Sequence, residues 1–407
     1  MLGAARATFI GASAPTGAAG GYTGDAETVH SLSNLTYNAR SYQIPKISYA
    51  GDDSSGQPVF FVGTRSSGGN FICSLIRRNN DGSISESSVT TLKSSDERFE
   101  AQGVAGFDSS GNPVGVTVGT YRVSGVIKCD IYANQIDLDN LSLGTTYSST
   151  NFTDVQSNAG FAYATYFGDG KFGCGYRNTG IRTALTTVSS SSISVGNELQ
   201  QSTNVGDGVY QGIYGLTYQN NSDYLWAIAN GNGNQHGVAY FNGASVGGQD
   251  SDDILTVGLG RTEPFEMAYN KILTVAGKAT TAQMVVSTIT WPGTGNPTLT
   301  NGSATAFSDS SGWDGSFCGA GDGAGTVYVM YQHFVSGWRI VPITASGTTA
   351  SQGSAVNVSN SISTSNWNQG NESNAATYAG SAQGDLFVAM IDDSSSNNPQ
   401  IYIKDMA

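Results

Sequence analysis

The sequence predicts an all-β fold, a seven-bladed β-propeller built from four-stranded antiparallel blades. Two observations carry this prediction. The stretch at 52–64, a D-S-S-G turn followed by a β-rich strand, returns almost unchanged at 107–120. Gly supplies 54 of the 407 residues and charged residues only 12%, so no window has the composition of a long amphipathic helix. A repeat of this length, made of strands and tight turns, is typical of a propeller.

Seven units follow one another along the chain. Each has a short apolar segment that we predict as its central strand, and a Gly- and Ala-rich segment before it that we predict as the innermost strand. Turns with Asp, Asn and Gly separate the two, as in tight hairpins. Radial stacking of such sheets buries both of their faces. The central segments begin at Val59, Val114, Lys171, Tyr224, Ile272, Val327 and Leu386.

The last unit shows three predicted strands, the third of them at 400–404. We expect its fourth strand to come from residues 25–37, which have the alternation of a strand, and to pair antiparallel near Ile401-Tyr402-Ile403. This pairing would close the ring without a covalent bond. Residues 1–24 are rich in Gly and Ala and lack periodicity, so we predict a docking arm there and a propeller over 25–407.

Charge and cysteine content exclude several classes of partner. The formal net charge is −13, and only 18 Lys and Arg residues are scattered along the chain, so specific nucleic-acid binding is not expected. No apolar run approaches the roughly 18 residues of a transmembrane helix. Cys73, Cys129, Cys174 and Cys318 lie singly in predicted strands. We expect them to be buried, reduced thiols.

No pattern of catalytic or metal-binding residues is visible in the sequence. His30, His236 and His333 stand alone, without the spacing of a zinc site. No nucleophile, histidine and acid occur as a recognisable set. The sequence therefore predicts no metal, no cofactor and no catalytic residue, and hence a protein that is not an enzyme.

The segments just before the inner strands are the candidate ligand-binding rim. Each offers an aromatic residue beside an acid or an amide, and such groups stack on sugar rings and bind hydroxyls. The alternative interpretation is that these aromatics pack between neighbouring sheets. The predicted ligand or partner contacts are Phe99, Glu100, Tyr210, Gln211, Phe265, Glu266, Trp313, Asp314, Trp367 and Asn368.

In composition and in its repeat pattern, the whole chain resembles structural virion proteins of tailed bacteriophages, of the tail hub, nozzle or fibre type. The resemblance rests on the Gly/Ala-rich start, the strands rich in Ser, Thr, Asn and Gly, the scarcity of Lys and His, and the degenerate propeller repeats. No diagnostic motif carries it, so no functional residue is transferred.

This resemblance implies a non-enzymatic assembly or adhesion protein in the tail region of a virion. Several symmetry-related copies would dock on other tail proteins through the N-terminal arm, and one propeller face would contact protein or a host-surface glycan. The alternative reading is a secreted, extracellular propeller that binds carbohydrate or degrades polysaccharide, a lectin or a glycosidase.

Overall fold

The computed structural model describes residues 27–36, 46–94, 97–124, 126–155, 162–178, 180–200, 211–220, 223–230, 235–241, 246–253, 261–268, 270–278, 281–290, 298–358, 362, 375–391 and 398–406. Over these ranges the regular structure is β-strand, apart from one 3-10 turn at Ser310–Gly312. The strands form seven antiparallel sheets, named blades 1 to 7 in chain order below.

In each of blades 1 to 3 the strand that comes first along the chain is the inner strand. Blade 1 contains Lys46–Asp52, Pro58–Arg65, Phe71–Arg78, Ile84–Glu86 and Thr90–Lys93. Blade 2 contains Glu97–Phe107, Pro113–Val123, Val126–Asp137 and Ser142–Val155. Blade 3 contains Ala162–Gly168, Lys171–Asn178, Gly180–Val188, Ile193–Val195 and Leu199–Gln200.

The remaining blades are given in the same order. Blade 4 contains Gln211–Asn220, Asp223–Asn230, Gln235–Phe241 and Val246–Asp253. Blade 5 contains Arg261–Ala268, Lys271–Lys278, Thr281–Thr290, Thr298–Asn301 and Thr305–Ala306. Blade 6 contains Trp313–Gly321, Val327–His333, Gly337–Ser346, Thr349–Gln352 and Val356–Asn357. Blade 7 contains Ala375–Ser381, Gly384–Ile391, Gln400–Asp405 and, from the other end of the chain, Glu27–Ser31.

The blades form a closed ring. Each inner strand contacts the inner strand of the next blade, from blade 1 through blade 7, and the inner strand of blade 7 contacts that of blade 1. Second strands are buried on both faces, as in Pro58–Arg65, while outer strands such as Ile84–Glu86 are half-exposed. This gradient arises because neighbouring blades cover the second strands from both sides. The predicted seven-bladed propeller is confirmed.

Close approach between blades explains one of the glycines near the axis. A Cβ atom added to Gly103, in the inner strand of blade 2, would lie 2.6 Å from the Cα atom of Gly63 in blade 1. No side chain fits that space, so only glycine lets the two strands pack at this distance.

The D-S-S-G stretches form inner hairpin turns that their own aspartates hold together. In blade 2 the Asp108 carboxylate accepts hydrogen bonds from the backbone N–H groups of Ser110 and Asn112, at 2.8 and 2.9 Å. Burial acts to raise the pKa of Asp108, but the hydrogen bonds from Asn112, Ser110 and Gln135 outweigh it and lower that pKa. Asp53 makes the same turn in blade 1. These aspartates therefore act structurally, as turn caps.

The ring closes where the sequence predicts. Glu27–Ser31 pairs antiparallel with Gln400–Asp405, with Thr28 opposite Ile403 and Val29 opposite Tyr402. The Glu27 carboxylate also accepts hydrogen bonds from the hydroxyl of Tyr402 at 3.1 Å and from the ammonium group of Lys404 at 2.9 Å. The two ends of the propeller chain thus share one blade.

Residues 32–36 continue from blade 7 onto blade 1. Leu32 and Leu35 are fully buried in a core cluster that includes side chains of both blades. The Glu86 carboxylate in blade 1 accepts hydrogen bonds from the backbone N–H groups of Ser33 and Asn34, at 2.8 and 2.9 Å. The segment therefore fastens the first blade to the last.

All four cysteines are buried free thiols, as predicted. Among the residues that the structure describes, no helix has the length and apolar character needed to cross a membrane. The predicted arm, 1–24, lies outside the described residues, so the boundary between arm and propeller stays a prediction.

Replacing Leu35 with Ala tests the fastening role of the N-terminal segment. Truncation of a fully buried leucine leaves a cavity, so we expect the free energy of unfolding to fall by about 2–5 kcal/mol in urea denaturation. Val356→Ala is the control, because Val356 is 47% exposed and its truncation should change the value by less than about 0.5 kcal/mol. Equal effects of the two substitutions would contradict the assignment.

Candidate functional site in the axial cavity

The inner strands border a cavity of about 220 Å³ near the ring axis, and this cavity is open to solvent. Side chains and backbone from blades 1, 2, 3, 5, 6 and 7 line it. Small residues such as Ala105 and Ala376 line the cavity together with larger residues from other blades. The cavity is therefore a product of the closed ring, because no single blade forms it.

One layer of the cavity wall is aromatic. Its four members occupy the same level in their blades, since each pairs with the second residue of the repeated central segment. They are Tyr49 opposite Phe60, Tyr166 opposite Phe172, Phe265 opposite Leu273, and Tyr378 opposite Phe387. The repeat thus places aromatic rings at one height around the axis, towards the inner hairpins.

Neighbouring rings hold the tyrosines of this layer in place. Tyr378 stacks on Tyr328 of blade 6, with ring centroids 5.7 Å apart and planes nearly parallel. Tyr166 packs on Phe172 with a centroid distance of 4.9 Å. Burial raises the pKa of Tyr378, and the nearby Asp385 carboxylate adds to the effect. Its phenol therefore remains protonated at neutral pH and can donate a hydrogen bond.

A layer of hydroxyl groups lies next to the aromatic layer. Ser48, Thr165 and Thr377 each come one residue before a tyrosine of that layer, and all three line the cavity. The pair Ser/Thr-Tyr therefore recurs in the inner strands of blades 1, 3 and 7. The same pair occurs at 217–218 in blade 4, of which only the backbone is described. Hydroxyls and aromatic rings together make a wall suited to a polar, non-planar ligand.

Lys46 brings an ionisable group to the cavity. Its ammonium group donates a hydrogen bond of 2.8 Å to the backbone carbonyl of Ala164, which belongs to blade 3. Burial lowers the pKa of Lys46 from its ordinary 10.5 to about 8, and attraction to the Glu263 carboxylate opposes the shift. Glu263 itself is buried, at 2% exposure. A lysine with such a pKa in a cavity is a typical functional-site candidate.

The structure places two of the ten predicted contacts at this cavity. Phe265 and Glu266 both border it, but Phe265 is only 3% exposed and its ring packs between blades 5 and 6, over Gly319. Glu100 lies instead between blades 2 and 3, where its carboxylate accepts a hydrogen bond of 3.2 Å from the backbone N–H of Ala162. Trp313 is fully buried and stacks on Tyr331 at 4.4 Å. For Trp313 the geometry matches the alternative interpretation, packing between sheets.

The other predicted contacts cannot be placed in the site. Phe99, Gln211 and Asp314 lie in described strands, but only their backbone is described. Tyr210, Trp367 and Asn368 lie outside the described residues. The rim as a whole stays a prediction. Within the described ranges, no group of three or more His, Cys, Asp or Glu side chains is placed to hold a metal ion.

Apart from Phe265 and Glu266, sequence reasoning missed the residues that line the cavity. The recurring Ser/Thr-Tyr pair was a readable signal, because it stands at one register in several inner strands. Lys46 offered no such signal, since its neighbours Ala164 and Glu263 are more than 100 residues away along the chain.

The sequence matches no protein-family model and no curated protein. Several solved structures have a similar architecture. A NanB sialidase from Streptococcus pneumoniae has a TM-score of 0.46 and 12% identity, over 92% of this chain and 70% of its own. An Aleuria aurantia lectin in complex with α-methyl-L-fucoside has a TM-score of 0.43 and 13% identity, over 79% of this chain and 97% of its own. A periplasmic gluconolactonase of Pseudomonas aeruginosa has a TM-score of 0.49 and 11% identity, over 86% of this chain and 96% of its own.

The prediction that the chain is not an enzyme requires correction. Proteins named as a sialidase and as a gluconolactonase are among the solved structures of similar architecture. The physical reason for the error is that a missing local motif excludes little in a propeller, because residues from distant blades meet at the axis. None of these three structures is named as a virion protein, and none transfers an activity to this chain.

Lys46→Met tests the burial of the lysine through the pH dependence of stability. Because its pKa is about 8 when folded and 10.5 ordinarily, the unfolded chain binds the extra proton between those values, and stability rises with pH there. We expect the wild type to gain up to about 3 kcal/mol relative to Lys46→Met between pH 7 and 10.5 in urea titrations. Lys171→Met is the reference for loss of an ammonium group elsewhere. If the difference in unfolding free energy between wild type and Lys46→Met does not change with pH, the burial of Lys46 is contradicted.

Proposed function

We propose that the chain is a carbohydrate-binding β-propeller whose axial cavity takes one terminal sugar unit of an extracellular glycan. The observation that carries the proposal is the pair of layers in the cavity wall. One layer contains Tyr49, Tyr166 and Tyr378, and the next contains the hydroxyl-bearing residues Ser48, Thr165 and Thr377.

A sugar ring has the chemistry that these layers match. Its C–H faces are apolar and pack on aromatic rings, while its hydroxyls both donate and accept hydrogen bonds. Pockets for drug-sized ligands measure about 300–1,000 Å³. A cavity of about 220 Å³ has room for a single monosaccharide. The proposal therefore concerns the end of a glycan.

Charge favours a neutral sugar over an acidic one. Glu266 lines the cavity, and Glu263 lies close enough to Lys46 to act on its charge. The chain as a whole carries a net charge of −13. An acidic sugar would meet this negative potential on its approach.

An extracellular location belongs to this proposal, because free glycans are presented outside cells. A lectin solved with α-methyl-L-fucoside has a similar architecture, but the proposal rests on the cavity of this chain. The virion role, the docking on other tail proteins and the symmetry-related copies have no observation in their favour among the described residues. They are not part of the proposal.

Binding to immobilised glycans tests the proposed function directly. We expect the full chain to retain glycans that end in a neutral monosaccharide, and the free monosaccharide to compete in solution. Glycans that end in a uronic or sialic acid should bind more weakly. Absence of binding to every neutral glycan, together with no signal in calorimetric titration of the monosaccharides, would overturn the proposal.

Replacing Tyr378 with Ala tests whether the sugar binds in the cavity. Loss of one stacked aromatic face should weaken sugar binding roughly tenfold or more. Tyr147→Ala is the matched control, since Tyr147 lies in the outer strand of blade 2, away from the cavity. Titration calorimetry gives both dissociation constants, and circular dichroism checks that both variants fold. If the two variants bind equally well, the sugar lies elsewhere.

A further inference from the structure

We propose that Lys46 is a nucleophilic lysine, which condenses with the carbonyl group of a small aldehyde or of an open-chain reducing sugar to form an imine. The choice of a sugar as the natural carbonyl compound rests on the proposed function. The lysine chemistry does not rest on the proposed function, but on the position of Lys46 at the cavity and on its buried surroundings.

The geometry supplies what imine formation requires. Lys46 is half-buried and borders the cavity, so a small molecule there lies beside it. Its hydrogen bond to the Ala164 carbonyl fixes the direction of the amine. The hydroxyl of Ser48, two residues on, lines the same cavity and can hydrogen bond to a carbonyl oxygen.

Burial also makes the amine available. At pH 7.5 roughly a quarter of amines with a pKa of about 8 are neutral, against roughly one in a thousand for an ordinary lysine. Only the neutral amine has the lone pair that attacks a carbonyl, and desolvated lysines are used in this way in enzymes.

The step balances without any further reactant. The nitrogen lone pair attacks the carbonyl carbon, and the carbonyl oxygen takes up a proton to give a carbinolamine. That hydroxyl then leaves, and the two hydrogens of the former amine depart with the oxygen as one water molecule. The product is the imine between the Lys46 nitrogen and the carbonyl carbon. Water reverses the reaction, so the linkage is transient.

Reductive trapping tests the proposal. The full chain is incubated with glycolaldehyde and sodium cyanoborohydride at several pH values, and adducts are quantified for each lysine by peptide mass spectrometry. We expect the Lys46 adduct to form about tenfold or more faster than the adduct at Lys171, whose ammonium group donates to Thr187. The rate at Lys46 should rise with pH and level off above about 8. Equal rates at the two lysines would overturn the proposal.

Two variants separate chemistry from folding. Lys46→Arg keeps the positive charge and should lose the adduct at this position while the other lysines react as before. Glu263→Gln removes the carboxylate that raises the pKa of Lys46, so the midpoint of the pH–rate profile should move to lower pH. A midpoint that does not move in a folded Glu263→Gln protein contradicts the assigned environment.

A second arm distinguishes this inference from the proposed function. The trapping is repeated with reducing monosaccharides and with their methyl glycosides, which have no free carbonyl. Sugar binding without an adduct from either type of aldehyde overturns the lysine chemistry and leaves the proposed function intact. A glycolaldehyde adduct on Lys46 without any sugar binding supports the lysine chemistry and overturns the proposed function.

Discussion

The antiparallel pairing between Glu27–Ser31 and Gln400–Asp405 is the interaction on which the rest of the structure depends. A blade at the end of an open row would leave one apolar face and one strand edge exposed, and closure of the ring covers both. Leu32 and Leu35 then extend the contact from blade 7 to blade 1. The site depends on the same closure, because Tyr378 and Tyr49 come from the two blades that meet there.

Crowding at the axis decides where a ligand fits. Inner strands rich in Gly and Ala pack closely, as the contact between Gly63 and Gly103 illustrates. Elsewhere the small side chains of the inner strands leave a space, which is bounded by tyrosines and hydroxyl groups of other blades. Because side chains alternate along a strand, the two members of a Ser/Thr-Tyr pair lie on opposite faces of their blade, and both border the cavity at its inner edge. Repetition of the pair then turns each level into part of a ring.

The electrostatics of the cavity come from blades that are not neighbours. Lys46 belongs to blade 1, its hydrogen-bond acceptor Ala164 to blade 3, and Glu263 to blade 5. Such an arrangement has no local signature in the sequence. The failure to find a catalytic motif was therefore uninformative, and the exclusion of an enzyme that followed from it was unsafe. Trp313 illustrates the opposite error, since an aromatic residue beside an acid resembled a ligand contact but lies in the core.

The sequence by itself determined the architecture. Period, strand patterning and turn residues specified seven blades, the inner hairpins and the closing strand, because each is a local pattern repeated at a fixed spacing. It also determined that the D-S-S-G stretch marks an inner hairpin, whose aspartate the structure shows to cap the turn. Only the tertiary structure decided which side chains face the axis and which pack between blades. The reason is that this choice depends on how strands from different blades meet, and no local pattern records it.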